Sequence, residues 1–226
     1  MSARTARSRI ARILRRLQAV YGRPPRRRDG KAVDVLVATI LSQNTSAANS
    51  SAGFGQLKRR FRSWDRAADA PVGQIERCIR VSGLGRIKAP RIRRILRQIR
   101  ADRGRIDLEF LARWPPAEAS RYLRHFQGVG PKTALCVLMF SFGMDVFPVD
   151  THVHRLATRL GLIEAEATAE KAHRLLAALI DPGDRYAMHM LLIAHGRRVC
   201  RARRPQCGRC TLRGLCRDGQ EAAAAG

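Results

Sequence analysis

Along this chain apolar residues return at helical spacing nearly everywhere. Ile10, Ile13, Leu14 and Leu17 form one stripe; Ile92, Ile95, Leu96 and Ile99 form a second; Leu175, Leu176 and Leu179 form a third. Each recurs at three and four residues, the period of a helix with one buried face. Arginines fill the other faces of the second stripe. No long apolar–polar alternation marks a strand. Val35 to Leu41 has a strand-like composition, but it fits better as a buried helix leading into LSQNTS (Leu41–Ser46). The pattern predicts about ten helices and an all-α fold. Breaks fall at Gly22–Gly30, Ala70-Pro71, Ser82–Gly85, Trp114-Pro115-Pro116, Gly128–Pro131, Phe147-Pro148 and Asp181–Gly183, where Gly and Pro punctuate the periodic segments.

Composition narrows the function. The chain has 226 residues, enough for one large domain or two small ones, and 45% of them are hydrophobic, as in a globular protein. Its net charge is +26. An excess of that size points to a polyanionic partner, and nucleic acid leads. Aromatic residues are only 5%, which argues against a platform that stacks several bases. The basic N-terminal stretch MSARTARSRIARIL lacks an apolar signal core and reads as an amphipathic helix. Ala134–Phe142, the longest apolar stretch, is far short of the ~20 residues a membrane helix needs. We therefore expect no membrane association, and a bacterial cytoplasm, at the nucleoid, as the location.

Four cysteines, Cys200, Cys207, Cys210 and Cys216, are spaced Cys-x6-Cys-x2-Cys-x5-Cys near the C-terminus. Thiolates so placed make a metal centre, and the ligand set suits zinc or an iron–sulfur cluster. Cys78 and Cys136 lie in apolar helical surroundings and read as small core residues. In FQGVGPKTALCV (Phe126–Val137), a Gly-Val-Gly turn runs straight into Pro131 and a helical segment. Glycines allow a tight turn, Pro suits the first helical position, and the free N–H groups of that helix attract phosphate. Read alone, it is equally an ordinary helix–helix turn. Lys132 follows, one of five lysines beside thirty-nine arginines. An amine can lose its proton and attack carbon, whereas a guanidinium stays protonated; a phosphate contact is the plainer reading. Asp150 in FPVDTHVHRL opens a further helix, where Asp is a favoured N-cap. His152 and His154, two apart, point to different helix faces and make a poor metal pair.

Taken together these pieces resemble the endonuclease III family of helix-hairpin-helix DNA glycosylases. The matching elements are LSQNTS, SGLGRIKA (Ser82–Ala89), GVGPKTA (Gly128–Ala134), VDTH (Val149–His152), AHGRRVC (Ala194–Cys200) and the cysteine loop. They follow the family's order over roughly residues 30–217. The resemblance implies two helical lobes with a DNA-binding cleft between them: a six-helix barrel at 31–145 ending in the hairpin, and a lobe of 1–30 plus 146–217 closed by a 4Fe-4S cluster on the four cysteines. Residues 218–226 would be a frayed tail.

It also implies a bifunctional DNA glycosylase/AP lyase of base-excision repair that removes oxidised pyrimidines from duplex DNA. Lys132 would be the nucleophile, forming a Schiff base and cutting 3′ of the abasic site by β-elimination, with Asp150 assisting. Asn44 and Leu84 would enter the gap left by the flipped nucleotide. Gln43, Gly128, Val129, Gly130, Thr133, His152, Arg201, Arg203 and Arg204 would complete the DNA contacts. The partner would be damaged or abasic double-stranded DNA, and the protein a monomer. Three positions depart from the family pattern. LSQNTS replaces the LSAQAT of the best-known members, Ala47 stands where many carry Asp, and Gly85 stands where an aromatic residue often follows the wedge leucine. These departures make an AP lyase with weak glycosylase activity one alternative. A non-catalytic damage-binding module is the other.

Overall fold

The computed structural model describes residues 3–219. Among them are eleven α-helices: α1 (Ala3–Tyr21), α2 (Ala32–Leu41), α3 (Ala47–Arg60), α4 (Trp64–Asp69), α5 (Val72–Ile79), α6 (Gly85–Arg103), α7 (Pro116–His125), α8 (Pro131–Phe142), α9 (Thr151–Arg159), α10 (Ala169–Leu179) and α11 (Arg185–Arg198). Four short 3-10 turns complete the regular structure, and no strand occurs among the described residues. None of the described helices is long and apolar enough to cross a membrane. The chain forms two compact units: Arg28–Met144, and a second joining the segment that ends at Arg27 to the one that begins at Asp145.

In the first unit α2 packs along α8, and both are buried on nearly every face. That explains why Val35–Leu41 shows no helical stripe: a helix surrounded by neighbours is apolar all round. The Glu109 carboxylate accepts the Ala32 N–H at 2.8 Å and so caps α2 from a distant 3-10 turn. Asp34 accepts from Lys58 Nζ at 2.9 Å and from Trp64 Nε1 at 2.8 Å, tying α2 to α3 and α4. α8 ends at Gly143, whose φ of 65° supplies the left-handed turn. The stripe Ile92, Ile95, Leu96 and Ile99 of α6 is fully buried, packed with α4 and α5.

One close approach in this unit is between α3 and the turn after α5. Ser82 is fully buried and its hydroxyl donates to the Asn49 carbonyl at 3.1 Å. A Cβ on Gly53 would collide with that hydroxyl.

The second unit packs α1 against α10 and α11, and α9 against α11. Ile10, Ile13, Leu14 and Leu17 join Val153, Leu156, Leu191 and Leu192 in one core. The third sequence stripe needs correction. Leu176 is buried, but Leu175 is 36% exposed, and the buried face of α10 runs through Ala172, His173 and Leu176. A histidine occupies a place that hydrophobicity alone assigns to leucine. Of the tail expected at 218–226, Asp218 is engaged, its carboxylate 3.5 Å from Arg159 Nε; residues 220–226 lie outside the described residues.

Gly53→Ala tests the contact between α3 and the turn. In an open helix this change stabilises by up to about 1 kcal/mol; here we expect a loss of about 1–3 kcal/mol in urea unfolding. Adding Ser82→Ala should recover part of that loss.

Candidate nucleic-acid interface and metal centre

Three loops of the first unit carry the sequence-predicted contacts. LSQNTS leaves α2 at Leu41 and enters α3 through Ser46, whose hydroxyl accepts the Asn49 N–H at 3.1 Å. Between them Asn44 is exposed with φ 53°. Asn tolerates this left-handed conformation well. Gln43 is turned inward: its Oε1 accepts from Arg91 Nη1 at 3.1 Å, and its Nε2 lies 3.5 Å from the Thr133 hydroxyl. It braces two helices and presents no free amide end.

In the second loop Leu84 also has a left-handed backbone, φ 54°, and its side chain is 47% exposed. Such a conformation strains a branched residue and recurs at functional sites. Val81 and Ile87 are exposed beside it in sequence, at 39% and 54%. The turn therefore presents three apolar side chains, of which Leu84 alone was legible in the sequence.

The third loop joins α7 to α8. The Val129 N–H donates to the Phe126 carbonyl at 3.0 Å, and Gly128 has φ 85°. That φ favours glycine, and a Cβ on Gly128 would also run into the Arg91 side chain. Gly130 and Pro131 open α8. The Val129 and Thr133 side chains are buried, and the Val129 N–H is already spent inside the turn. Lys132 is half-exposed in the first turn of α8.

In the second unit Asp150 is the N-cap of α9, its Oδ1 accepting the Val153 N–H at 2.8 Å. The strand-like approach to it is held by two buried histidines. The Val149 N–H donates to His173 Nδ1 at 3.0 Å, and His189 Nδ1 lies 3.0 Å from the Pro148 carbonyl. No spacing in the sequence signals either. His152 is half-buried, its Nδ1 3.1 Å from Arg155 Nη2. Burial lowers its pKa, which favours the neutral ring.

Cys200, Cys207, Cys210 and Cys216 line one hollow of about 70 Å³ together with Arg159 and Gln206. Among the described residues no group of three or more His, Cys, Asp or Glu side chains meets at a single metal-ion position. Burial pushes the Cys210 and Cys216 thiols up, which disfavours the thiolate form of those two side chains in the absence of a neighbouring cation. Arg159 Nη1 donates to Cys200 Sγ at 3.2 Å and to the Arg201 carbonyl at 2.8 Å. Arg155 holds the Cys200 carbonyl at 2.8 Å. His195 Nε2 lies 3.3 Å from Cys210 Sγ, and its Nδ1 lies 2.9 Å from the Tyr21 hydroxyl. Burial takes His195 down to about 4, so the ring is neutral at neutral pH. The pair of contacts fits a proton on Nε2 and an acceptor at Nδ1. Arg201, Arg203 and Arg204 are exposed on the segment between the first two cysteines.

Residues 37–182 match the model of the HhH-GPD superfamily of base excision DNA repair proteins. An Arabidopsis thaliana protein named as a DNA glycosylase is 41% identical over 168 residues, which are 74% of this chain and 57% of that protein. The chain thus spans little more than half that relative's length. The endonuclease III of Sulfolobus acidocaldarius is 32% identical over 184 residues, 80% of each chain. A solved structure of a trapped covalent endonuclease III–DNA intermediate matches with a TM-score of 0.83 at 26% identity, covering 99% of both chains. By sequence and by fold, the chain belongs to the HhH-GPD superfamily of base excision DNA repair proteins and is endonuclease III-like within it.

Proposed function

We propose that this glycosylase is bifunctional, removing oxidised pyrimidines from duplex DNA and then cutting the strand at the abasic site. The observation that carries the reading is Lys132 in the first turn of α8, directly after the glycine hairpin. Backbone N–H groups there bind phosphate and place the amine beside the sugar of the bound strand. The Lys132 amine attacks C1′ of a flipped nucleotide and the base departs with the glycosidic electron pair. Loss of an amine proton and ring opening give a Schiff base between Nζ and C1′. Removal of a C2′ proton then expels the 3′ phosphate, and water releases the lysine.

Asp150 serves as base for the amine or as a fixed anion beside the developing sugar cation. Its Oδ1 is committed to the α9 cap, which leaves Oδ2 for chemistry. Asn44 and Leu84, both exposed on left-handed turns, suit entry into the gap that flipping leaves. Arg201, Arg203 and Arg204 suit phosphate contacts.

We assign the cysteine hollow to a 4Fe-4S cluster. The Cys-x6-Cys-x2-Cys-x5-Cys spacing, with all four sulfur-bearing residues lining one hollow, supports an iron–sulfur group over zinc. Cys200, Cys207, Cys210 and Cys216 would hold it, and it would supply cross-linking of the arginine-bearing loop.

Borohydride trapping on duplex DNA with one thymine glycol or one abasic site tests the chemistry. We expect a covalent adduct with both substrates and none with Lys132→Ala; an adduct at the abasic site alone would mean a lyase without effective base removal. Asp150→Asn keeps a capping side chain, so it should leave the melting temperature nearly unchanged while slowing excision by about 10²–10⁴-fold. Asp150→Ala should also lose about 1 kcal/mol of stability. Metal analysis of the purified protein should find iron and sulfide, lost in Cys210→Ser; zinc without iron would overturn the cluster.

A further inference from the structure

One of the largest fully buried side chains among the described residues belongs to a lysine. Lys88 is 1% exposed, one turn inside α6. Its Nζ donates to the Leu41 carbonyl at 2.8 Å and to the Ser82 carbonyl at 2.8 Å. Burial opposes its ionisation, and so does the neighbouring Arg91 charge. An ammonium placed there without a carboxylate partner is costly, and a methionine would fill the volume without that cost. The two carbonyls are what the site gains.

Those carbonyls belong to particular residues. Leu41 is the last residue of α2, and the loop bearing Asn44 starts immediately after it. Ser82 is the last residue of the 3-10 turn before Gly83 and Leu84. Asn44 and Leu84 both carry positive φ, a conformation that persists only where its surroundings over-determine it. One amine therefore ties the roots of two strained loops to each other. Ser82 is pinned again by its bond to the Asn49 carbonyl. One helical turn beyond Lys88, Arg91 holds Gln43 and lies against Gly128. A single face of α6 thus touches all three loops.

We propose that Lys88 is a positioning residue that fixes the spacing of the Asn44 and Leu84 tips, so that both enter the duplex together and hold the lesion extrahelical. The proposal rests on the assigned role of those tips in DNA. A compact three-donor head can satisfy two carbonyls converging from different loops, whereas a planar guanidinium demands a flat, wider site. That accounts for a lysine here in a chain that otherwise prefers arginine.

A loosened pair of tips should hurt base removal more than abasic-site cleavage, because an abasic nucleotide has no base to unstack. We would compare wild type, Lys88→Met and the core control Ile92→Val in single-turnover assays on thymine glycol and abasic duplexes. In parallel, 2-aminopurine opposite an abasic analogue reports unstacking on binding. Lys88→Met should slow base excision at least tenfold, leave abasic cleavage within about threefold, and lose most of the fluorescence rise. Ile92→Val should change none of these ratios. If Lys88→Met does not fold, Lys88→Gln should shift the same ratio in the same direction by a smaller factor.

Equal slowing of both reactions with the fluorescence rise intact would make Lys88 a packing residue and overturn the proposal. If wild type cleaves abasic DNA only, the fluorescence arm decides alone, its loss in Lys88→Met supporting the proposal and its persistence overturning it. A wild type that cuts neither substrate would sink the functional reading first, and this role with it.

Discussion

Backbone carbonyls left over at helix ends and turns are the constraint on which this structure depends. An all-helical chain with short connections generates many of them, and buried ones must find donors. Here basic side chains supply the donors. Lys88 serves Leu41 and Ser82, Arg97 serves Ala68, and Arg185 serves Asp145 and Ala177. Arg155 and Arg159 serve Gly196, Cys200, Arg201 and Ala202. Arg9 reaches the Leu215 carbonyl across nearly the whole sequence. The charge excess thus has two uses. Part of it faces outward for phosphate, and part is spent inside on backbone oxygen.

That division explains what was legible in the sequence. The helices, the turn at Ser82–Gly85, the glycine hairpin and the Asp150 cap follow from periodicity and from residue types with strong local preferences. Their signals are local, so a sequence displays them. Lys88, Arg91, Arg155 and Arg159 were not legible, because each is one basic residue among forty-four until its partner carbonyl is located. His173 and His189 were hidden for the same reason, and Leu175 was misassigned because three leucines outweighed one histidine. Gln43 reads as a loop residue free to contact DNA, yet both ends of its amide face other side chains. Long-range partners decide these positions, and no window of neighbouring residues contains them.

The three candidate loops share a design. Each tip has an unusual backbone or a half-exposed lysine, and each root is fixed. Asn44 rises between a helix end and a Ser cap, Leu84 between a pinned serine and α6, and Lys132 behind a hairpin that fits only with glycine. Rigid roots limit the reorganisation needed when DNA binds. The cysteine loop follows the same logic, since two arginines of α9 reach into it from the helix that Asp150 begins.

Residues on both sides of Arg28–Met144 build the second unit, and this sets an order for its assembly during translation. α1 leaves the ribosome first, with Ile13 and Leu17 facing no partner, and waits while the whole of the other unit is synthesised. α9, α10 and α11 then arrive to cover it, and Leu212 and Leu215 close the same core last. Once residue 144 has emerged, a nascent chain therefore holds one finished unit and one amphipathic helix still awaiting its partners. Truncation anywhere before Cys216 leaves that helix without its full cover, so incomplete chains display an apolar face to the cell's quality-control machinery.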